Sequence, residues 1–320
     1  MDLVIGVDIG GTRTKVVALP AAGGSVEDAA MRTPEDAHPI GEQVLSTPPD
    51  VADRFVDHVR TALARVVGDH RLVGLGVVVP GLVDHRTGTA VWSANLRWRD
   101  LPLRDLVTRA SGSRKGVAVA VGHDVRAGLV GEHRFGAARA EQDVLFVALG
   151  TGLASALLVG GRLVVGSPWS GEIGHVVVRP GGPECGCGAL GCLEAVAGAG
   201  ALARRWLQIT GRPGDAQVVA EQAAAGEPVA VELWCEAINA LSAVLAPVVA
   251  ATGTQLVLVG GGLSNAGAQL LGPLDTALHE RLPGQRIRVA RAGLGDRAAA
   301  LGAAALALDE VSRNGRSMSL

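Results

Sequence analysis

The chain has 320 residues, of which 48% are hydrophobic, only 2% are aromatic and none is tyrosine, and its formal net charge is −2. That length exceeds one ordinary domain and predicts two lobes, with cores built from Val, Leu and Ala. The slightly acidic balance excludes the basic field of a nucleic-acid binder, so no nucleic-acid partner is expected.

The opening, MDLVIGVDIGG, lacks the basic start and small-residue cleavage site of a secretory signal, and a cytoplasmic protein is expected. LVIGVDIG (3–10) and TKVVALP (14–20) read as paired strands turning at Gly10 and Gly11. Helical periodicity follows over 48–68, a buried strand over 72–81, a short helix over 101–112, a strand over 116–122 and a helix over 124–134. The opening theme then returns: DVLFVALGTGLASALLVGGRLV (143–164) is strand, glycine turn, strand, with a third strand after Gly160 and Gly161. Helices are predicted at 193–210, 215–225, 228–251, 264–281 and 296–308, with one strand at 254–262 and a disordered tail over 312–320. Residues 237–274 carry no charged side chain. Pro247 and the polar or glycine residues at 252–255 and 260–262 hold this run below about 20 clean apolar residues, so a buried helix and strand are expected and no membrane partner.

Two strand–glycine–strand openings imply a duplicated α/β lobe. In Asp8-Ile9-Gly10-Gly11-Thr12 and Gly150-Thr151-Gly152, glycine brings backbone N–H groups close to an anion and the threonines add donors. Asp8, ending a strand, suits a hydrated Mg²⁺. Gly260, Gly261 and Gly262 follow a buried strand, where a nucleoside can lie on bare backbone. Each turn singly also fits an ordinary hairpin. Neither a P-loop nor a dinucleotide-binding fingerprint is present.

The stretch 171–194, GEIGHVVVRPGGPECGCGALGCLE, gathers His175, Cys185, Cys187 and Cys192 between Glu172 and Glu194. Metal, redox and disulfide chemistry are the three readings. Cys185 and Cys187 stand one residue apart, unlike a redox C-x-x-C pair. Cys235, alone in a helix, reads as an inert buried thiol. Asp124, between a strand and a helix, is either an N-cap or a site carboxylate at a strand end.

Taken together, Asp8-Ile-Gly-Gly-Thr, Gly150-Thr-Gly, Glu172-Ile-Gly-His175 and Cys185-Gly-Cys187-Gly-Ala-Leu-Gly-Cys192-Leu-Glu194 resemble the ROK family of sugar kinases and sugar-responsive repressors, over about residues 3–308. The resemblance implies an actin-like ATPase (RNase H-like) α/β fold with two lobes around a central cleft. The N-terminal lobe is expected over 1–122, completed by the helix at 296–308, and the C-terminal lobe over 123–295 with its zinc loop at 175–192. It implies structural Zn²⁺ on His175, Cys185, Cys187 and Cys192, a closed Cys₃His set. ATP and Mg²⁺ are implied at Asp8, Gly10, Gly11, Thr12, Arg13, Gly150, Thr151 and Gly152, with the nucleoside at Gly260, Gly261 and Gly262. Arg13 stands where the family often has Lys. A hexose is implied at Gly81, Asn95, His123, Glu172, His175 and Glu194, with Asp124 as general base toward the 6-hydroxyl. A homodimer is also implied.

The family segment Asn-Asp-Ala-Asn-Ala departs here to His123-Asp124-Val125-Arg126-Ala127. His123 in place of Asn changes reach and donor pattern around sugar carbons 3 and 4, and a hydrogen-bonding site can discriminate strongly at one such position. Glucose and a hexose altered at carbon 3 or 4, such as 3-amino-3-deoxyglucose, both fit. The alternatives are an N-acetylhexosamine kinase and a non-catalytic sugar sensor. Family repressors carry a DNA-binding segment ahead of the Asp8 strand, which begins here at Leu3.

Overall fold

The structure, a computed structural model, describes residues 1–21, 39–112, 116–150 and 152–317. The chain divides into two compact units, one of Met1–Arg139, Val165–Trp169 and Asp296–Leu320, the other of Ala140–Val164 and Ser170–Gly295.

The first unit holds a five-stranded sheet from β1 (Asp2–Ile9), β2 (Arg13–Pro20), β3 (Gly41–Ser46), β4 (Arg71–Val79) and β8 (Ala118–His123), ordered β3-β2-β1-β4-β8. The first three strands run antiparallel in sequence, and β4 and β8 run parallel to β1. The side-chain period of two sorts the faces. Leu3, Ile5 and Val7 of β1 and Leu75, Val77 and Val79 of β4 pack with Phe55, Val59 and Leu63 of α1 (Phe55–Ala64) and with Leu103 and Val107 of α2 (Leu103–Ala110). The opposite face presents Gly6, Gly76 and Val78.

That glycine face receives the C-terminal helix. A methyl group at Gly6 would strike the carbonyl of Ala300, and one at Gly76 the carbonyl of Ala303. Where this helix crosses α3 (Asp124–Phe135), a methyl at Gly302 would strike the Ala127 carbonyl and one at Gly131 the Ala298 carbonyl. Bare backbone lets helix and sheet approach more closely than side chains would permit. The boundary expected at 122/123 therefore moves, because α3 packs on the C-terminal helix and belongs to the first unit. The tail expectation also changes: the helix continues as Ala298–Ser317, so 312–317 are helical, while 318–320 lie outside the described residues.

The second unit repeats the plan. β9 (Val144–Leu149), β10 (Leu153–Val159), β11 (Arg162–Leu163), β12 (Leu256–Gly260) and β13 (Arg288–Arg291) lie in the order β11-β10-β9-β12-β13. The three early strands are again antiparallel and the two late ones parallel to β9. The predicted helix 193–210 breaks at Gly198, whose extended backbone separates α4 (Leu193–Ala197) from α5 (Ala199–Thr210). Then come α6 (Ala216–Ala224), α7 (Pro228–Thr252), α8 (Ala268–Arg281) and, as the C-terminal helix above, α9.

Helix α7 is long and apolar enough to cross a membrane by composition, yet Leu233, Leu241, Leu245 and Val249 are buried in the unit's core with Trp206 and Leu274. Cys235 on this helix corrects an expectation: its thiol is exposed rather than buried. Sequence reading also missed β3, β13 and the small sheet β5 (Leu82–Asp84), β6 (Thr89–Ser93), β7 (Trp98–Leu101). These strands are short or, like β3, largely exposed, so their residues carry little apolar alternation.

Candidate active site

In the first unit, candidate residues gather where the parallel strands β1, β4 and β8 end, the edge at which α/β sheets present ligands. Asp8 lies near the end of β1. The turn after it is closed by the Gly10 N–H donating to the Arg13 carbonyl at 3.0 Å, and Thr47 N–H donates to the Thr12 carbonyl at 2.9 Å. Gly11, Thr12 and Arg13 are exposed. A methyl at Gly11 would sit 3.4 Å from Cβ of Asn95, so the glycine turn and the Asn95 loop are neighbours. Gly81, just past β4, has φ +99°, and a side chain there would meet the Trp92 carbonyl.

His123 ends β8 and takes the N-cap position of α3 with no side-chain cap bond; Asp124 is the first helical residue. The N-cap position therefore falls one residue before Asp124, whose carboxylate still serves a helix-start N–H. Its Oδ1 accepts the N–H of Val125 at 2.7 Å and lies 3.5 Å from Nε2 of His123. His123 is buried, and burial lowers its basicity against the opposing pull of Asp124. The imidazole is therefore neutral near pH 7. Two further groups, not singled out in the sequence, crowd this corner. His85 packs against Gly122 and is pushed down to about 4, mainly by burial and then by Arg126. Arg126, itself buried, lies 3.5 Å from the Val83 carbonyl through Nη2.

Asp8 is buried, and its carboxyl is raised from 3.8 to about 7, first by burial and then by the charge of Asp124, with Asp296 adding and Lys15 opposing. Lys15 is its cross-strand partner and donates from Nζ to the Asp296 carbonyl at 2.8 Å. The folded state thus favours the protonated acid. Its stabilising contribution is full below about pH 4 and is lost as pH rises through about 7. At 1.36 kcal/mol per pK unit, ionising Asp8 costs at most roughly 4 kcal/mol in cation-free protein. Asp8→Asn is expected to raise the melting temperature by a few degrees at pH 8 and to leave it unchanged at pH 4. Thermal melts without divalent cation test this; parallel pH dependences for wild type and variant would refute it.

In the second unit, β9 and β12 are parallel neighbours, and both end in glycine turns. Gly150 N–H donates to the Gly152 carbonyl at 2.9 Å; Thr151 lies outside the described residues. Gly261, at φ +80°, is pressed on the backbone of Leu149, and a methyl at Gly260 would lie 2.7 Å from the Phe146 ring. The turns at 150–152 and 260–262 are thereby joined, while Gly262 faces open space.

A 3-10 turn, Ile173–His175, and the short α4 carry the remaining candidates. The ligand atoms of His175, Cys185, Cys187 and Cys192 all lie within 4.8 Å of one another. Nδ1 of His175 is 3.6 Å from Sγ of Cys185, and Sγ of Cys187 is 3.7 Å from Sγ of Cys192. Thiolates at about 2.3 Å from a tetrahedral centre stand about 3.8 Å apart, so the set fits Zn²⁺. Burial and the neighbouring thiols push Cys192 up to about 12, a penalty that a central cation reverses by pairing with thiolate. Nε2 of His175 faces Glu172, whose Oε2 is 3.8 Å away. Glu194 has an unanticipated partner: Oε2 accepts the N–H of Leu153 at 2.8 Å.

A sequence model of the ROK family matches residues 4–310. The chain belongs to the ROK family. It is 31% identical to a glucokinase of Streptomyces coelicolor, over 96% of this chain and 98% of that one. Among solved structures it resembles a ROK hexokinase from Thermus thermophilus, with 30% identity and a TM-score of 0.78, covering 97% of this chain and 99% of that one. A ROK glucokinase from Streptomyces griseus, solved with glucose and AMPPNP, is 31% identical with a TM-score of 0.78, covering 96% of this chain and 99% of that one. The repeated sheet order is that of the actin-like ATPase fold, which this ROK protein shares.

Proposed function

We propose that this ROK protein is an ATP-dependent hexose kinase that phosphorylates the sugar 6-hydroxyl, with Asp124 as general base. The observation that carries the reading is a carboxylate at the end of β8 whose Oδ1 accepts the Val125 N–H and lies beside His123, in the same unit as Asp8 and Asn95. Its similarity to glucokinases, one solved with glucose and AMPPNP, gives the reaction class.

Phosphoryl transfer needs an aimed hydroxyl, charge neutralisation and a proton acceptor. Asp124 accepts the 6-hydroxyl proton. In the first unit, the turn Gly10–Thr12 with Arg13 faces the phosphates, the N–H groups of Gly11 and Thr12 donating while that of Gly10 holds the turn closed, and Asn95, His123 and Gly81 serve the sugar. In the second, Gly150 and Gly152 face phosphate, Gly260, Gly261 and Gly262 the nucleoside, and Glu172, His175 and Glu194 the sugar hydroxyls. Asp8 would hold hydrated Mg²⁺, which supplies charge neutralisation when bound. Structural Zn²⁺ on His175, Cys185, Cys187 and Cys192 would stiffen the loop carrying Glu172. His175 would thus give Nδ1 to the metal and Nε2 to Glu172 and the sugar, as second-shell partners orient metal-bound imidazoles.

A neutral, buried His123 can donate or accept at a sugar position according to its tautomer, which fits both glucose and a hexose altered at carbon 3 or 4. ATP consumption across glucose, mannose, N-acetylglucosamine, N-acetylmannosamine and 3-amino-3-deoxyglucose tests both levels. Turnover with glucose or with the 3-amino sugar is expected, and preference for the 3-amino sugar would make His123 the specificity determinant. Glucose preference would return the protein to an ordinary glucokinase, and no turnover with any sugar would leave a sensor. Metal analysis should find one zinc per chain in the wild type, lost in Cys192→Ser; a metal-free, fully folded wild type would refute the zinc assignment.

A further inference from the structure

We propose that Glu194 is a positioning residue for Gly152 and Leu153, where the second unit's glycine turn enters β10, tying them to the loop of the Cys₃His cluster. The inference rests on the reading of 150–152 as a phosphate-facing turn.

One carboxylate oxygen of Glu194 accepts the N–H of Leu153, the residue that ends the turn and starts β10, at 2.8 Å. A methyl built at Gly152 would come within 3.0 Å of the same oxygen, so the chain wraps closely around the carboxylate. The other oxygen lies 4.0 Å from Sγ of Cys185. The backbone of Glu194 is anchored as well, because Cys192, two residues earlier, is the N-cap of α4. A helix-end acid stabilised only by the dipole would have no reason to aim at an amide so far along the chain.

The first residues of β10 also grip the Glu172 loop. Gly174 is pressed on the Leu153 carbonyl, leaving no room for a side chain. Ser155 N–H donates to the Gly171 carbonyl at 2.7 Å. Leu153 and Ser155 are therefore a shared footing for the glycine turn, the Glu172 loop and the Cys₃His cluster. The consequence separates this role from sugar contact: nucleotide affinity depends on Glu194 even when no sugar is present.

The test is AMPPNP binding with Mg²⁺ by the zinc-loaded full chain, without sugar. Glu194→Leu removes the acceptor and should weaken binding by about fivefold to tenfold, whereas Glu194→Gln keeps an acceptor oxygen and should stay within about twofold. Removing the metal with a chelator should weaken AMPPNP binding in the wild type and add less in Glu194→Leu, the signature of coupled changes. Melting temperature and zinc content establish that each variant is folded and loaded. Wild-type AMPPNP affinity in folded, zinc-loaded Glu194→Leu would overturn the proposal while leaving the kinase reading intact. No AMPPNP binding by the unchanged chain would overturn both. Should the leucine variant not fold, Glu194→Ala carries the test: it also removes the acceptor, weaker binding is expected, and unchanged binding overturns the proposal.

Discussion

Asp124→Asn is expected to lower kcat by about 10²–10⁴-fold, the usual contribution of a positioned acid or base, while sugar affinity stays within about twofold. The substitution is nearly isosteric. The amide oxygen can still accept the Val125 N–H that Oδ1 now takes at 2.7 Å, so the start of α3 should hold. What is lost is the capacity to take a proton. A second effect runs the other way, because the charge of Asp124 is the second largest cause of the raised carboxyl at Asp8. Removing it eases ionisation of Asp8, so affinity for Mg²⁺ and nucleotide should not fall. The pattern to look for is a large loss in kcat with unchanged or lower KM for MgATP. A kcat within about tenfold of wild type would remove Asp124 as the general base.

Gly302→Ala and Gly76→Ala should each destabilise the first unit by about 3 kcal/mol or more, at or beyond the usual range for overpacking. Ordinary overpacking strikes side chains that can rotate away. Here the new methyl meets the Ala127 carbonyl in one case and the Ala303 carbonyl in the other, and neither can yield without lifting α9 from the sheet or from α3. An internal control lies in the same helix. Gly315 is exposed with open space around it, so Gly315→Ala should be neutral or stabilising by up to about 1 kcal/mol, the helix preference of Ala over Gly. Chemical denaturation of the three variants measures the contrast. Wild-type stability of Gly302→Ala would mean that α9 is not locked by backbone contact.

The candidate chemistry-bearing positions stand out in the sequence because each coincides with a local signal. Asp8 and the glycines after it end an apolar strand, and Asp124 stands where a strand gives way to a helix. The cross-strand pairing of Asp8 with Lys15 was also within reach, since it follows from counting outward from a turn at residues 10–12. Less legible were the partners that tune these groups. Asp296 reaches the Asp8 corner from the opposite end of the chain, and Arg126 meets His85 only because β5 returns beside β8.

The sequence alone determined the strand–glycine–strand repeat, the Cys₃His cluster that fits a metal and the carboxylates at strand ends. These depend on backbone permissiveness, ligand chemistry and apolar periodicity, all of them short-range properties. The tertiary structure decided the rest: that α3 and the C-terminal helix belong with the first sheet, that residues 312–317 continue that helix, and that Glu194 grips Leu153. It also decided how far the Asp8 carboxyl is raised. Burial, close backbone approach and charge–charge distance depend on residues remote in the chain, and no local pattern encodes them.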